Sequence, residues 1–243
     1  MCRRENLMGR IWAITSGSGG AGKTTLSVAL SVAAAKHGCH TVLLDTSGVS
    51  RSSDLMLGIE NVLSIDLNDV LSGQMELESA KYAVSQHKNL WLVNASLSNS
   101  VHLGELSGMM LALEAMCDIV IIDLPNACLL PEHGVMTKDD EYILVTRPDD
   151  ASVRSCDSLI QKLRGSEAGV SLVVNHMRRD RVKKGLQYNA DSIAMILDCP
   201  VLSSISEDDL FLTSSSNTKN GQNCSQWSNH SSIREIINRL LER

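Results

Sequence analysis

The stretch Ile11-Trp12-Ala13-Ile14-Thr15-Ser16-Gly17-Ser18-Gly19-Gly20-Ala21-Gly22-Lys23-Thr24-Thr25 decides how the chain is read. Ile11–Thr15 is apolar and β-branched enough for a strand, and Thr24–Lys36 is an Ala-rich helical run. Between them, Gly17 to Thr24 satisfies G-x-x-x-x-G-K-[ST] in the setting that gives the pattern meaning, after a strand and opening a helix. Each part has a physical task. The glycines let backbone N–H groups turn inward around phosphate oxygens with no Cβ in the way. The helix that follows directs its positive end at the anion. Lys23 places a point charge on the β- and γ-phosphates, and the Thr24 hydroxyl is a ligand for Mg²⁺.

Outward from this loop the pattern repeats. Short apolar runs at Thr41–Asp45, Leu90–Asn94, Asp118–Asp123, Tyr142–Thr146, Val170–Asn175 and Val201–Ile205 read as strands. Helical stretches fall at Asp66–Ser72, Glu76–Gln86, Glu105–Met116, Ala151–Arg164, Ser192–Leu197 and Ile233–Leu241. Alternation of this kind predicts an α/β fold: a doubly wound, mostly parallel sheet with helices on both faces, in three layers, filling residues 1–243 as one domain. Thr213–Ser231, rich in Ser, Asn and Gly, reads as a mobile surface loop. Asp123 ends the most apolar strand, where a carboxylate stands beside the phosphate site and can hold Mg²⁺ through a water.

Composition narrows the function classes. The 243 residues are 43% hydrophobic and 21% charged, with a net charge of -6. That supports a sizeable core and argues against a protein that coats DNA over its whole surface. Aromatics are 3%, so the core is expected to rest on Leu, Ile, Val, Ala and Met, and stacking platforms for single-stranded nucleic acid are disfavoured. The seven cysteines form no C-x-x-C pair, which disfavours zinc ribbons and thioredoxin-type chemistry and reads as reduced thiols packed as small hydrophobes. The N-terminus lacks the apolar run of a signal peptide and no stretch is long enough to span a bilayer, so a cytoplasmic location is expected.

The residues resemble the MinD/ParA group of P-loop ATPases. Ser18 through Thr25 matches that group's K-G-G-x-G-K-T-[ST] loop except at its first position. Asp45 through Gly58 is similar, without gaps, to its D-x-D-x-G-L-R-N-L-D-L-x-x-G switch region, and Ile119–Pro125 to its Walker B strand. Val145-Thr146-Arg147-Pro148 followed by Ser152–Asp157 resembles the T-x-P-E-x-x-S-V-R-D-x-D segment of MinD, and Cys199–Asp208 the late strand and loop near the adenine. The resemblance implies ATP/ADP and Mg²⁺ as ligands. It implies Gly19, Gly20, Ala21, Gly22, Lys23, Thr24, Thr25 and Asn175 as the nucleotide-binding set, Thr24 and Asp123 as metal-binding residues, and Lys23 and Asp45 as the catalytic pair. It implies a homodimer around ATP and a protein partner in a division, flagellar or similar positioning apparatus. A second reading is a non-catalytic scaffold resembling the degenerate ATPases that localise pilus-assembly machinery.

Three departures set the expected activity. The group's signature Lys is Ser18, the second Asp of its D-x-D is Ser47, and the Pro of its late I-P-x-D motif is Ser206. The resemblance gives the Lys a contact to the partner's ATP and the second Asp a part in positioning the attacking water. Their loss predicts retained binding with slow or absent turnover, with Arg51 and Lys36 as the candidate replacement cations. Ile233, Ile236, Ile237, Leu240 and Leu241 form a helical stripe. Its polar face has mixed charge and no aromatic anchor, so a core helix is favoured over a membrane-surface one at the inner membrane. The basic run Arg178–Lys184 reads as a solvated loop, and nonspecific DNA binding is not favoured.

Overall fold

The computed structural model describes residues 9–47, 52–59, 64–95, 106–130, 136–207 and 222–242. In chain order these form β1 (Arg10–Thr15), α1 (Lys23–Lys36), β2 (Thr41–Asp45), α2 (Ser52–Leu57) and α3 (Leu67–Leu71). A 3₁₀ turn (Leu77–Ala80), β3 (Tyr82–Ala83), β4 (Leu90–Asn94), α4 (Leu106–Met116) and β5 (Ile119–Asp123) follow. Next come β6 (Glu141–Thr146), α5 (Asp150–Leu163), β7 (Gly169–Met177), α6 (Arg179–Lys183), α7 (Ala190–Leu197), β8 (Val201–Ser206), α8 (Gln222–Trp227) and α9 (Ser231–Leu241). The strands join one sheet in the order β3-β4-β2-β5-β1-β6-β7-β8. All neighbours are parallel except β3, which runs antiparallel to β4.

The two sheet faces carry separate apolar layers. One gathers α1, α8 and α9 with Trp12, Leu43, Leu92, Ile121 and Ile143; the other gathers α4, α5 and α7 with Ile11, Leu44, Val120, Ile122 and Leu144. Alternate residues of one strand therefore enter opposite layers, as the pleat requires. Helix α1 is buried nearly all round, from Leu26 to Ala35, so its Ala content is a packing requirement: small side chains let it lie close to the sheet while other helices cover it. The core rests on Leu, Ile, Val, Ala and Met as expected, and of the few aromatics Trp12, Tyr142 and Trp227 join it.

Three local expectations are corrected. Glu76–Gln86 is not a helix. After the short 3₁₀ turn the chain pairs Tyr82 with Leu92 and closes a hairpin through Val84 N–H to the Leu90 carbonyl at 3.0 Å. The Tyr82 hydroxyl accepts from the N–H groups of Ser64 and Ile65, so a tertiary anchor overrides the local propensity. Thr213–Ser231 is not loop throughout: α8 occupies Gln222–Trp227, and Ser231 opens α9. Buried Cys224 and Trp227 hold α8 against the α1 layer, and Lys36 fastens the following turn through Ser225, Ser228 and Asn229. Residues 213–221 lie outside the described residues. Arg178–Lys184 includes a short exposed helix, α6, rather than a loop.

The α9 stripe is used by the core. Ile233, Ile236, Ile237 and Leu240 are buried, so this apolar face is not presented to a membrane. Its mixed charges seal the β8 edge of the sheet. Arg239 donates to the Val201 carbonyl at 2.9 Å, Ser232 to the Ser204 carbonyl at 2.9 Å, and Glu235 accepts from Ser203 at 2.6 Å. Among the described residues no helix is long and apolar enough to cross a membrane. Trp227→Ala is expected to cost about 3–5 kcal/mol in urea unfolding, the range for deleting a large core aromatic. A change below about 0.5 kcal/mol, typical of surface positions, would show that α8 is not part of the cooperative core.

Candidate functional site

The loop from Ser16 to Gly22 lies at the carboxyl end of β1, in the middle of the sheet. Helix α1 starts without a side-chain cap and without an acidic residue in its first turn. By contrast, Asp66 caps α3, Asp149 caps α5 and Asn189 caps α7. The N–H groups at the head of α1 therefore keep their donors and the helix keeps its positive end, the combination that receives an anion. Gly22, the residue before the helix, has φ 91°, and a Cβ there would lie 2.3 Å from Nδ2 of Asn175. Gly17 packs so closely on α5 that a Cβ would meet the Ser155 backbone at 2.5 Å. The glycines at the two ends of the loop are thus both fixed by close approach, and Gly22 by its conformation as well.

Two carboxylates stand side by side beneath the helix. Asp45 ends β2, Asp123 ends β5, and the strand register places them directly opposite each other. Both are buried. Thr24 donates to Asp123 at 2.6 Å and Ser27 donates at 3.3 Å. Burial first, and the neighbouring Asp45 second, push the Asp123 carboxyl up to about 7; the Thr24 hydroxyl, Lys23 and Ser27 act in the opposite direction. Lys23 is itself held below its ordinary value by burial, opposed by Asp123 and Cys128.

The sequence-predicted residues Lys23, Thr24, Asp45 and Asp123 come together here, and Gly19, Gly20, Ala21 and Gly22 form the loop above them. Thr25 follows in the first turn of α1. Asn175, at the far side of the loop, donates to the Ala21 carbonyl at 2.8 Å and so braces the loop itself. Ser47 folds back onto Asp45, giving it an N–H bond at 2.9 Å and a hydroxyl bond at 2.6 Å, while Ser53 bonds the other carboxylate oxygen. Lys36 is at the opposite end of α1, about 20 Å away at the helical rise per residue, and cannot stand in as a phosphate cation. Arg51 and Asp208 lie outside the described residues.

Sequence reasoning missed Asn126. It accepts from the Lys23 ammonium and from Ser16 at 3.2 Å, joining the loop to the turn after β5. Its one visible signal is an amide directly after Leu124-Pro125 at the end of a predicted Walker strand. Asn94 was also missed. It lies opposite Asp45 in the β2–β4 register, is buried, and its amide has no hydrogen-bond partner among the described residues. A buried amide left open beside a carboxylate suits a polar guest.

Comparison with known proteins agrees with this geometry. The family described as the CobQ/CobB/MinD/ParA nucleotide binding domain matches residues 12–220. The chain belongs to this family. It is 32% identical over 208 residues to the septum site-determining protein MinD of Bacillus subtilis, covering 83% of this chain and 78% of that one. It superimposes on a chain of the MinC:MinD cell division protein complex of Aquifex aeolicus with a TM-score of 0.84 and 24% identity, covering 97% and 96% of the two chains. With Pyrococcus horikoshii MinD complexed with Mg-ADP the TM-score is 0.77 and the identity 25%, covering 97% and 95%.

The site also fits the cation that this MinD-like fold implies. A hydroxyl and a buried carboxylate, Thr24 and Asp123, meet at 2.6 Å beside a second carboxylate, an all-oxygen set suited to a hard divalent ion. The raised Asp123 value sets a test. Its folded pKa lies above the ordinary carboxylate value, so its contribution to folding is complete below about pH 4 and is lost as pH rises to about 7. Nucleotide-free protein is expected to lose stability across that window by chemical denaturation. Asp123→Asn should flatten this loss and raise stability above neutral pH; an unchanged pH profile would contradict the shift.

Proposed function

We propose that this chain is an ATP-binding, MinD-type nucleotide switch that helps position a cellular apparatus and turns ATP over slowly or not at all. The observation that carries this is the pairing of an intact binding half with an altered catalytic half. The binding half is the uncapped head of α1, the glycine loop, Lys23 and the Thr24–Asp123 pair. In it, backbone N–H groups enclose the phosphates, Lys23 neutralises charge on the outer ones, and Thr24 with Asp123 would hold Mg²⁺. Bound there, Mg²⁺ would supply neutralisation of phosphate charge.

The altered half is at Ser18 and Ser47. Ser47 gives its hydroxyl proton to Asp45, so it is committed as a donor and offers no negative charge to orient a water. Ser18 carries no cation. A cation acting on a transferring phosphoryl group is worth roughly 10³–10⁵ in rate, or about 4–7 kcal/mol of barrier. Binding is expected to survive these losses and hydrolysis to fall by a comparable factor. In an active switch, nucleotide state would set dimerisation and capture of a protein partner. The Aquifex relative is found with MinC, and a protein of that kind is the partner class we assign here.

The test is ATP and ADP binding in Mg²⁺, phosphate release, and molecular size in each nucleotide state. The expected result is nucleotide binding that Lys23→Ala abolishes, with turnover far below that of active relatives. Ser47→Asp is expected to raise turnover. Wild-type turnover at the rate of active family members would refute the slow-turnover reading. Tight ATP binding with neither turnover nor dimerisation selects the scaffold reading instead.

A further inference from the structure

The register between β1 and β6 brings one more group to the phosphate loop. Thr15 lies opposite Leu144, and three residues further on each chain are Ser18 and Arg147. The side chains remain neighbours beyond the strands. Ser18 and Ser152 hydroxyl oxygens are 3.4 Å apart, and Arg147 Nε donates to Ser152 Oγ at 3.2 Å. Ser152 in turn gives its proton to Asp149 at 3.1 Å. The Arg147 guanidinium is therefore about two hydrogen bonds from the rim of the loop.

Its anchoring is weak and uses one end of the group. Nε is 3.3 Å from Asp149 Oδ2, with side-chain exposures of 39% and 44%, and a pair this open contributes little. Asp149 is also shared, since it caps α5 through Ser152 N–H at 2.9 Å. The two Nη groups make no hydrogen bond among the described residues. They form the planar fork that recognises a phosphate in bidentate fashion. The need for such a group is local. The site holds two buried carboxylates, and Lys23 is its one cation inside the loop among the described residues. On the other flank, Arg178 is engaged by Asp180 at 3.2 Å and stands 3.9 Å from Glu207.

We infer that Arg147 is the second phosphate-binding cation of this site, swinging from Asp149 to the terminal phosphate of a nucleoside triphosphate. The inference rests on the nucleotide-binding reading above. The phosphate belongs either to the nucleotide in the same chain's loop or to that of a second copy, and the chemistry of recognition is the same. Arg147 thereby takes over, from the neighbouring strand, charge that Ser18 cannot provide.

The experiment compares wild type, Arg147→Ala, Arg147→Lys and the double variant Ser18→Lys/Arg147→Ala. Fluorescently labelled ATP and ADP are titrated in Mg²⁺, with sedimentation in each nucleotide. Arg147→Ala is expected to lose about 10- to 100-fold in ATP affinity, as for one charged hydrogen-bonding group, with ADP affinity nearly unchanged. That result places the phosphate in the same chain. Loss of ATP-dependent dimerisation at unchanged monomer affinity places it in the second copy. Arg147→Lys should fall between, and it serves as the test if the alanine variant fails to fold. The Ser18→Lys change should restore the preference for ATP, which a merely structural role for Arg147 would not allow. An Arg147→Ala protein with wild-type ATP preference and size, or one that loses ATP and ADP equally, overturns the assignment. Wild type that binds neither nucleotide overturns the underlying reading as well.

Discussion

Asp45 and Asp123, buried side by side under the uncapped head of α1, are the constraint around which this molecule is built. Burial in an apolar sheet, with Asp45 alongside, disfavours the ionised form of Asp123 and pushes its carboxyl up to about 7. The fold tolerates them because hydroxyls and N–H groups converge on them: Thr24 and Ser27 on one, Ser47 and Ser53 on the other. It tolerates them also because the helix end above is positive and carries no capping side chain of its own. A divalent cation and a phosphate chain would complete the electrostatics of such a pocket, in keeping with the proposed nucleotide-binding role.

From this centre the rest follows as support. The buried α1 fixes the loop, and its small residues set how closely it approaches the sheet. Helices α8 and α9 cover α1 from outside, with α9 also closing the β8 edge. Asn126 and Asn175 hold the loop from either side, one through Lys23 and the other through the Ala21 carbonyl. The catalytic economy of the site is different from its binding economy. Ser47 turns inward to Asp45, and the guanidinium of Arg147, just past β6, comes near Ser18 by bonding Ser152. A switch whose output is a state of assembly depends on discriminating ATP from ADP more than on rapid turnover.

Much of this was legible in the chain itself. The loop and its flanking elements, the parallel strands, Asp123 and the core character of α9 all rest on local patterns with a physical meaning: glycine at close approaches, apolar runs for buried strands, a 3.6-residue stripe for a packed helix. Boundaries that depended on distant anchors were read wrongly. Tyr82 drew a segment of helical composition into a hairpin, and Cys224 and Trp227 turned part of a Ser/Asn-rich stretch into a helix.

The α/β fold and the meeting of Thr24, Asp45 and Asp123 beside the glycine loop were readable along the chain, because each of those signals is contained in a contiguous motif. What surrounds them depends on packing: Asn126 meets Lys23, and Arg147 comes near Ser18 through Ser152, because parallel strands far apart in the chain end at the same edge of the sheet. The same packing removed Lys36 from consideration, since a straight helix carries its last residue away from the site at which its first residue begins.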